Sequence, residues 1–251
     1  MNILVFGGSK GIGRVFADKM ADSGHSVSVL SRSWKSNGLT IEPKFFQVDF
    51  CDTEQLSDVL KSLVLGGASF DSLVFCQRYR GEGEAWENEI KSSLLAFKLA
   101  IEILEPCMPE GSSIVAISSS AAKLVAAEQP VGYHMAKAGL EHMIRYYAVQ
   151  LGARGIKVNG VAPPVTIKPE NEEFYRLNPS LVEVINSSIP LARMCRAEDV
   201  CEVIWFLMTT PYITGQIITV DGGLGLVTQE STARKISNIR DEDLIHPKGK
   251  N

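Results

Sequence analysis

No spacing in this chain pairs its cysteines. There are five, Cys51, Cys76, Cys107, Cys195 and Cys201, with no C-x-x-C among them. That excludes a zinc ribbon and a thioredoxin-type redox pair, and the expectation is reduced thiols in the cytoplasm with no metal site. Long apolar runs are missing as well. None approaches the roughly 20 residues that span a bilayer, so no membrane association is expected. Residues Asn2 to Phe6 already read as a strand, without the basic and then apolar stretch of a secretory leader. Clustered positive charge is scarce too. The net charge is −4, and contacts to a phosphate backbone need concentrated Lys and Arg, so no nucleic-acid partner is expected.

What the chain has is 45% hydrophobic residues over a length of 251, enough for one continuous core. Short apolar runs alternate with longer segments of helical period. The runs are NILVF from Asn2, SVSVL from Ser26, KFFQV from Lys44, SLVFC from Ser72, SIVAIS from Ser113, IKVNGV from Ile156 and QIITV from Gln216. Several are apolar on both faces, the pattern of parallel strands covered on both sides. Between them, Ile12, Val15, Phe16 and Met20 share one helix face, with Gly24 as a stop. Thr53 reads as an N-cap before Leu56, Val59, Leu60 and Leu63. A long helix runs from about Trp86 to Pro106; others start near Tyr133 (Leu140, Ile144, Tyr147, Leu151 inward) and near Ala197 (Val200, Val203, Ile204, Leu207 inward). The alternation predicts a doubly wound α/β sheet in a single domain, residues 1–225. Proline-rich residues 164–190 break it and predict a substrate-covering lid with short helices. Polar residues 226–251 predict either a disordered tail or an arm reaching a partner subunit.

Gly7, Gly11 and Gly13 in VFGGSKGIGR lie between the first strand and the first helix. A chain that turns sharply there and offers bare N–H groups to a diphosphate at a helix N-terminus has no room for side chains. A plain strand–helix turn uses glycine too; the position directly after the first strand favours a dinucleotide. The second strand ends VSVLSRS, and no acid occurs between Asp22 and Glu42 to hold a ribose 2′-hydroxyl. Arg32, with Ser9 and Lys10 in the glycine turn, suits the 2′-phosphate of NADP(H) instead. The alternative is that both cations are solvated surface charges.

Tyr133 and Lys137 are four apart on a helical pattern and so share a face. A phenol is a poor acid or base near neutrality, and a nearby ammonium favours the phenolate. Plain surface pairs have this spacing as well. Here the pair follows IVAISSS, a strand ending in three hydroxyls at the sheet edge where α/β proteins place their sites.

The glycine turn, IVAISSS with its Tyr-x-x-x-Lys, KVNGVAPP, and PLARMCRAEDVCEVIWFL followed by YITGQIITVDGG resemble, in order, the motifs of the short-chain dehydrogenase/reductase family over residues 1 to about 223. The match is to the classical type, similar to 3-oxoacyl-ACP reductases. The resemblance implies a Rossmann-type sheet of seven parallel strands and the NADPH-dependent reduction of a small-molecule carbonyl to an alcohol. In that reading Tyr133 donates the proton, Ser119 hydrogen-bonds the substrate oxygen, Lys137 meets the ribose, and Ser93 replaces an Asn that holds a relay water. Aligning the strand selects Ser119; the family's commoner spacing to the tyrosine selects Ser120. The implied cofactor contacts are Gly7, Ser9, Lys10, Gly11, Ile12, Gly13 and Arg32, with Asp49 and Phe50 at the adenine; Asp49 is equally a turn cap. Cys76, Gln77, Tyr133, Lys137, Pro163, Val165 and Thr166 complete the nicotinamide side. The resemblance also implies a homotetramer or homodimer, using the Trp86 and Tyr133 helices. Two other readings stand beside this one: an alcohol or sugar dehydrogenase run in the oxidative direction, and a non-catalytic NADP-binding protein.

The chain departs from the family at four places. Phe6 holds the position of a structural Thr, and Phe75, Cys76, Gln77 and Arg78 replace N-N-A-G. Ser93 stands for the relay Asn, and Pro164 follows Pro163 where the family has Gly, which stiffens that loop. The segment QRYRG places Arg78 and Arg80 after the fourth strand. One of them is expected to bind an anionic group of the substrate; a solvated loop charge or a subunit contact is the alternative.

Overall fold

Residues 3–6 are buried without exception, so the first strand must be covered on both faces. In the computed structural model, which describes residues 1–36, 38, 41–81 and 83–237, this is what happens. The strands are β1 (Asn2–Phe6), β2 (Ser26–Ser31), β3 (Lys44–Gln47), β4 (Ser72–Phe75), β5 (Ser113–Ile117), β6 (Lys157–Ala162), β7 (Thr166–Ile167), β8 (Cys195–Arg196) and β9 (Ile217–Thr219). Seven form one parallel sheet in the order β3-β2-β1-β4-β5-β6-β9. All seven strands expected from the sequence are present. The small parallel pair β7–β8 was not expected; it ties Thr166 to Cys195 and Ile167 to Arg196.

The helices among the described residues are α1 (Gly11–Asp22), α2 (Thr53–Leu65), α3 (Ala85–Glu89), α4 (Ala96–Leu104), α5 (Val131–Gly152), α6 (Glu172–Leu177), α7 (Pro179–Ser188), α8 (Ala197–Thr209) and α9 (Gln229–Ile236). Strand alternation divides the core in two. Leu4, Phe6, Leu73, Phe75 and Ile114 face α2, α4 and α5, whereas Ile3, Val5, Val74 and Val115 face α1 and α8. α1 ends as its sequence reads. Gly24 adopts φ +82 and its N–H bonds Ala21 O at 2.9 Å. The start of α2 is a correction: the cap is Asp52, whose carboxylate accepts from Gln55 N at 2.9 Å, and Thr53 is the first helical residue.

Two departures from the family turn out to be one packing unit. Phe6 and Phe75 stack at 4.2 Å between centroids, and Phe97 meets Phe75 edge-on at 4.7 Å. Both replaced side chains are buried. Aromatic packing thus ties the end of β1 to the end of β4, each ring contributing about 1.5–3 kcal/mol by burial.

The long helix expected over Trp86 to Pro106 is interrupted. A π-helical stretch, Ile90–Leu95, separates α3 from α4. The region after β6 holds β7, α6 and α7, and residues 226–237 form a turn and α9, which lies against α7. The rest of the polar C-terminus lies outside the described residues. No helix among the described residues is long and apolar enough to cross a membrane.

Candidate active site

The chain runs β1 to β3 toward one edge of the sheet, then returns to place β4 on the other side of β1. The carboxyl ends of β1 and β4 therefore diverge and leave a crevice. Gly7 follows β1 with φ +80, and a Cβ there would lie 2.6 Å from Gln77 N. Glycine is thus what lets the β1 and β4 exits touch. Gly13 packs beneath: its Cβ would fall 2.4 Å from Gly7 O and 2.9 Å from Cys76 Cβ. It shapes the turn and does not line the cleft.

The cleft collects most of the residues the sequence singled out. Gly7, Ser9, Lys10, Gly11, Ile12, Arg32, Phe50, Cys76 and Gln77 line it from the β1–β4 side. Ser119, Tyr133, Lys137, Pro163 and Thr166 line it from the β5–β6 side, and Arg78 and Arg80 from the loop after β4. Four expected residues lie elsewhere. Asp49 caps its own turn, accepting from Cys51 N at 3.0 Å. Val165 points outward, half exposed, between two lining residues. Ser93 is buried in the π-helical stretch with an unpartnered hydroxyl, and Gly13 is packed as described. The backbone of that stretch does reach the cleft: Ser92 O accepts from Gln77 Nε2 at 3.3 Å.

Tyr133 and Lys137 project from the first turns of α5. Gly132 makes this possible, since a Cβ there would meet Trp86 Cα at 2.7 Å; α5 and the start of α3 are in backbone contact. Lys137 is 3% exposed, and its ammonium donates to Ile117 O at 2.7 Å and lies 5.8 Å from the Tyr133 ring centre. Burial pulls its pKa down to about 8, with Glu89 opposing and Arg78 assisting. Ser119 accepts from Ala121 N at 3.2 Å. A hydroxyl so oriented keeps its own proton to donate. Ser120 instead begins a 3-10 turn, its N–H bonded to Pro163 O, and it does not line the cleft.

His134 fixes the loop that leads into α5. Ala126 N can only donate, so Nε2 accepts (3.0 Å), and Nδ1 carries the proton toward Pro130 O at 3.0 Å. That loop presents Gln129, whose Oε1 accepts from Arg78 at 3.0 Å. The Arg78 guanidinium lies over the Tyr133 ring, its Cζ 4.3 Å from the ring centre, with buried Glu89 at 3.8 Å. Burial pushes the Glu89 carboxyl up while Arg78 pulls it back. Arg80 is engaged differently, 3.7 Å from Glu170, and its carbonyl accepts from Arg32 at 3.1 Å.

Sequence reasoning missed Ser31, Ile117, Ser118, Lys168 and Glu170, all of which line the cleft. Lys168 and Glu170 carried a readable signal: two charges amid the prolines of the lid. The residues present fit a dinucleotide. Gly11 turns a bare α-carbon at φ +59 into the cleft, where a Cβ would meet Lys168 and Glu170 at 3.2 and 3.0 Å, and the N-terminus of α1 points at the same place.

A doubly wound parallel sheet with a glycine turn at its crevice and a Tyr–Lys pair across from it defines a dinucleotide-dependent oxidoreductase. A family model described as enoyl-(acyl carrier protein) reductase matches residues 7–225, and the chain belongs to the short-chain dehydrogenase/reductase family, which uses a nicotinamide cofactor. It is 30% identical to carbonyl reductase family member 4 of Danio rerio over 89% of this chain and 98% of that protein. It is 28% identical to 3-oxoacyl-[acyl-carrier-protein] reductase of Homo sapiens, over 89% and 97% respectively. Among solved structures, ElxO with NADP bound superposes with a TM-score of 0.78 at 24% identity, covering 90% of this chain and 99% of that one.

Proposed function

We propose that this protein is an NADPH-dependent reductase of a small-molecule carbonyl, with Tyr133 as the proton donor. The observation that carries the reading is convergence: Ser119, Tyr133 and Lys137 line the same cleft as the glycine turn, Lys10 and Arg32. Gly11 and Ile12 would hold the diphosphate end, Arg32 with Ser9 and Lys10 the 2′-phosphate, and Cys76, Gln77, Pro163 and Thr166 the nicotinamide side. The 2′-phosphate assignment draws support from the absence of an acid after β2 and from the NADP-bound relative. When bound, the cofactor supplies the hydride. The Tyr133 hydroxyl delivers a proton to the forming alkoxide, and the Ser119 hydroxyl donates to the same oxygen. Buried Lys137 places positive charge behind the tyrosine and meets the ribose.

Arg78 extends the reading to an anionic substrate. Its guanidinium covers the Tyr133 ring, so a carboxylate or phosphate held there sits beside the reacting phenol. The exposed apolar side chains of α3 and α5, Trp86, Tyr146 and Val149, support a homodimer or homotetramer. Five free cysteines suit the cytoplasm. The test is consumption of NADPH and NADH, side by side, over a carbonyl panel that includes 3-oxoacyl thioesters and 2-oxo acids. Turnover with NADPH at least about tenfold more efficient supports the reading, in kcal/mol terms about 1.4; equal use of both cofactors refutes the assignment of Arg32. The orphaned Ser93 hydroxyl favours a second reading, a non-catalytic NADP-binding protein. Tight NADPH binding with no turnover of any carbonyl selects it.

A further inference from the structure

The diphosphate end of the cleft already contains an anion belonging to the chain. Glu170 reaches the N-terminus of α1, where its Oε2 accepts from Gly11 N–H at 3.1 Å. Its other oxygen lies 3.7 Å from the Arg80 guanidinium. α1 supplies no negative charge itself: its first turn has no acid, and its N-cap, Lys10, makes no side-chain capping bond. The position of Glu170 is set by a short tied turn. Asn171 Oδ1 accepts from Lys168 N at 2.7 Å, and its amide donates to Thr166 O at 3.1 Å. The Lys168 side chain passes over the same bare glycine. Burial and the neighbouring Arg80 both pull its ammonium below the ordinary lysine range.

A helix N-terminus favours one anion, and a carboxylate and a diphosphate cannot share it without like-charge repulsion. We propose that Glu170 is a latch: in the cofactor-free protein it pins the lid to the glycine turn as a resident counter-anion, and the diphosphate of the dinucleotide displaces it, taking over Arg80 and Lys168. This rests on the cofactor reading above. Arg80 is thereby assigned to the cofactor, leaving Arg78 for the substrate. The latch lowers apparent cofactor affinity by the fraction of chains held closed, and it couples cofactor entry to release of residues 164–190 from α1.

Glu170→Gln tests this, because glutamine keeps the size and the acceptor oxygen but removes the charge; Glu170→Ala removes both. Each variant and the wild type are titrated calorimetrically with NADP⁺ and with adenosine 2′-monophosphate, which can occupy the Arg32 end but has no diphosphate. The expected result is NADP⁺ binding at least about fivefold tighter in both variants, the worth of one charge at a helix terminus, with adenosine 2′-monophosphate within about twofold of wild type. Unchanged or weaker NADP⁺ binding overturns the latch, and so does an equal gain for the monophosphate. Failure of every protein to bind NADP⁺ or NAD⁺ overturns the cofactor reading and the latch with it.

Discussion

Lys137 keeps a charge where a charge is costly, and the cost is measurable. The residue is 3% exposed and its ammonium donates to Ile117 O at 2.7 Å. Burial is the largest influence and brings its pKa from 10.5 to about 8. Each pH unit of that depression is worth about 1.4 kcal/mol, so the folded protein bears on the order of 3 kcal/mol below pH 8. The sign follows from proton counting. Between pH 8 and 10.5 the folded lysine is largely neutral while the unfolded one still binds its proton. The unfolded state then holds more protons, and stability rises with pH. Above 10.5 both forms are neutral and the gain is complete. Lys137→Met retains the volume and never charges. Urea unfolding of both proteins without cofactor, from pH 7.5 to 10.5, reads this residue with the groups coupled to it, because titrations independent of Lys137 cancel in the difference. Wild type should gain about 3 kcal/mol relative to the variant across that window, with a slope no steeper than about 1.4 kcal/mol per pH unit. A flat difference would show that Lys137 is solvated, and the buried ammonium behind Tyr133 would go with it.

Four further perturbations have definite outcomes. Tyr133→Phe should keep NADPH binding, measured by calorimetry, and lower kcat at least about a hundredfold, the usual loss for a general acid. Arg32→Ala should cut kcat/KM for NADPH at least about tenfold and leave NADH within about twofold; parallel loss with both cofactors would place Arg32 away from the 2′-phosphate. Arg78→Ala should raise KM more for a carboxylate-bearing substrate than for its ester, and equal changes would remove the anion assignment. Gly13→Ala puts a methyl 2.4 Å from Gly7 O, so it should lower stability by about 1–3 kcal/mol, read as a drop in Tm of about 2–4 °C per kcal/mol.

Much of the fold is legible because its signals are local. A parallel strand buried on both faces has to read as an unbroken apolar run, and β1, β4 and β5 do. Tyr133 and Lys137 are legible for the same reason, since one helical turn fixes their relation whatever surrounds them. What was not legible depends on partners distant in the chain. Glu170 on Gly11, Glu89 against Arg78 and Phe6 on Phe75 are each made by the topology. Asp52 and Thr53 are both good capping residues, and only backbone conformation chooses between them. The π-helical stretch has no compositional mark, yet it decides that Ser93 is turned inward while the Ser92 carbonyl meets Gln77.

Apart from Pro164, the departures from the family gather on the β1–β4 side of the cleft, and that bears on whether the chain is an active enzyme. Phe75 ends β4, Cys76, Gln77 and Arg78 follow it, and Ser93 lies in the π-helical stretch. Ser119, Tyr133 and Lys137, the proposed reacting groups, stand on the opposite wall, supported by bonds that do not pass through β4. Ser118 Oγ donates to buried Glu141 at 3.0 Å, anchoring the end of β5 to α5. Lys137 bonds Ile117 O, Ser120 N–H bonds Pro163 O, and His134 holds the loop between β5 and α5. Replacing the β4 exit therefore leaves the placement of Ser119, Tyr133 and Lys137 intact. What it changes is their surroundings: an aromatic stack of Phe6 on Phe75, and a cation over the tyrosine where the family motif has glycine. The anionic carbonyl substrate proposed above accounts for an Arg78 held by Glu89 and Gln129 beside Tyr133.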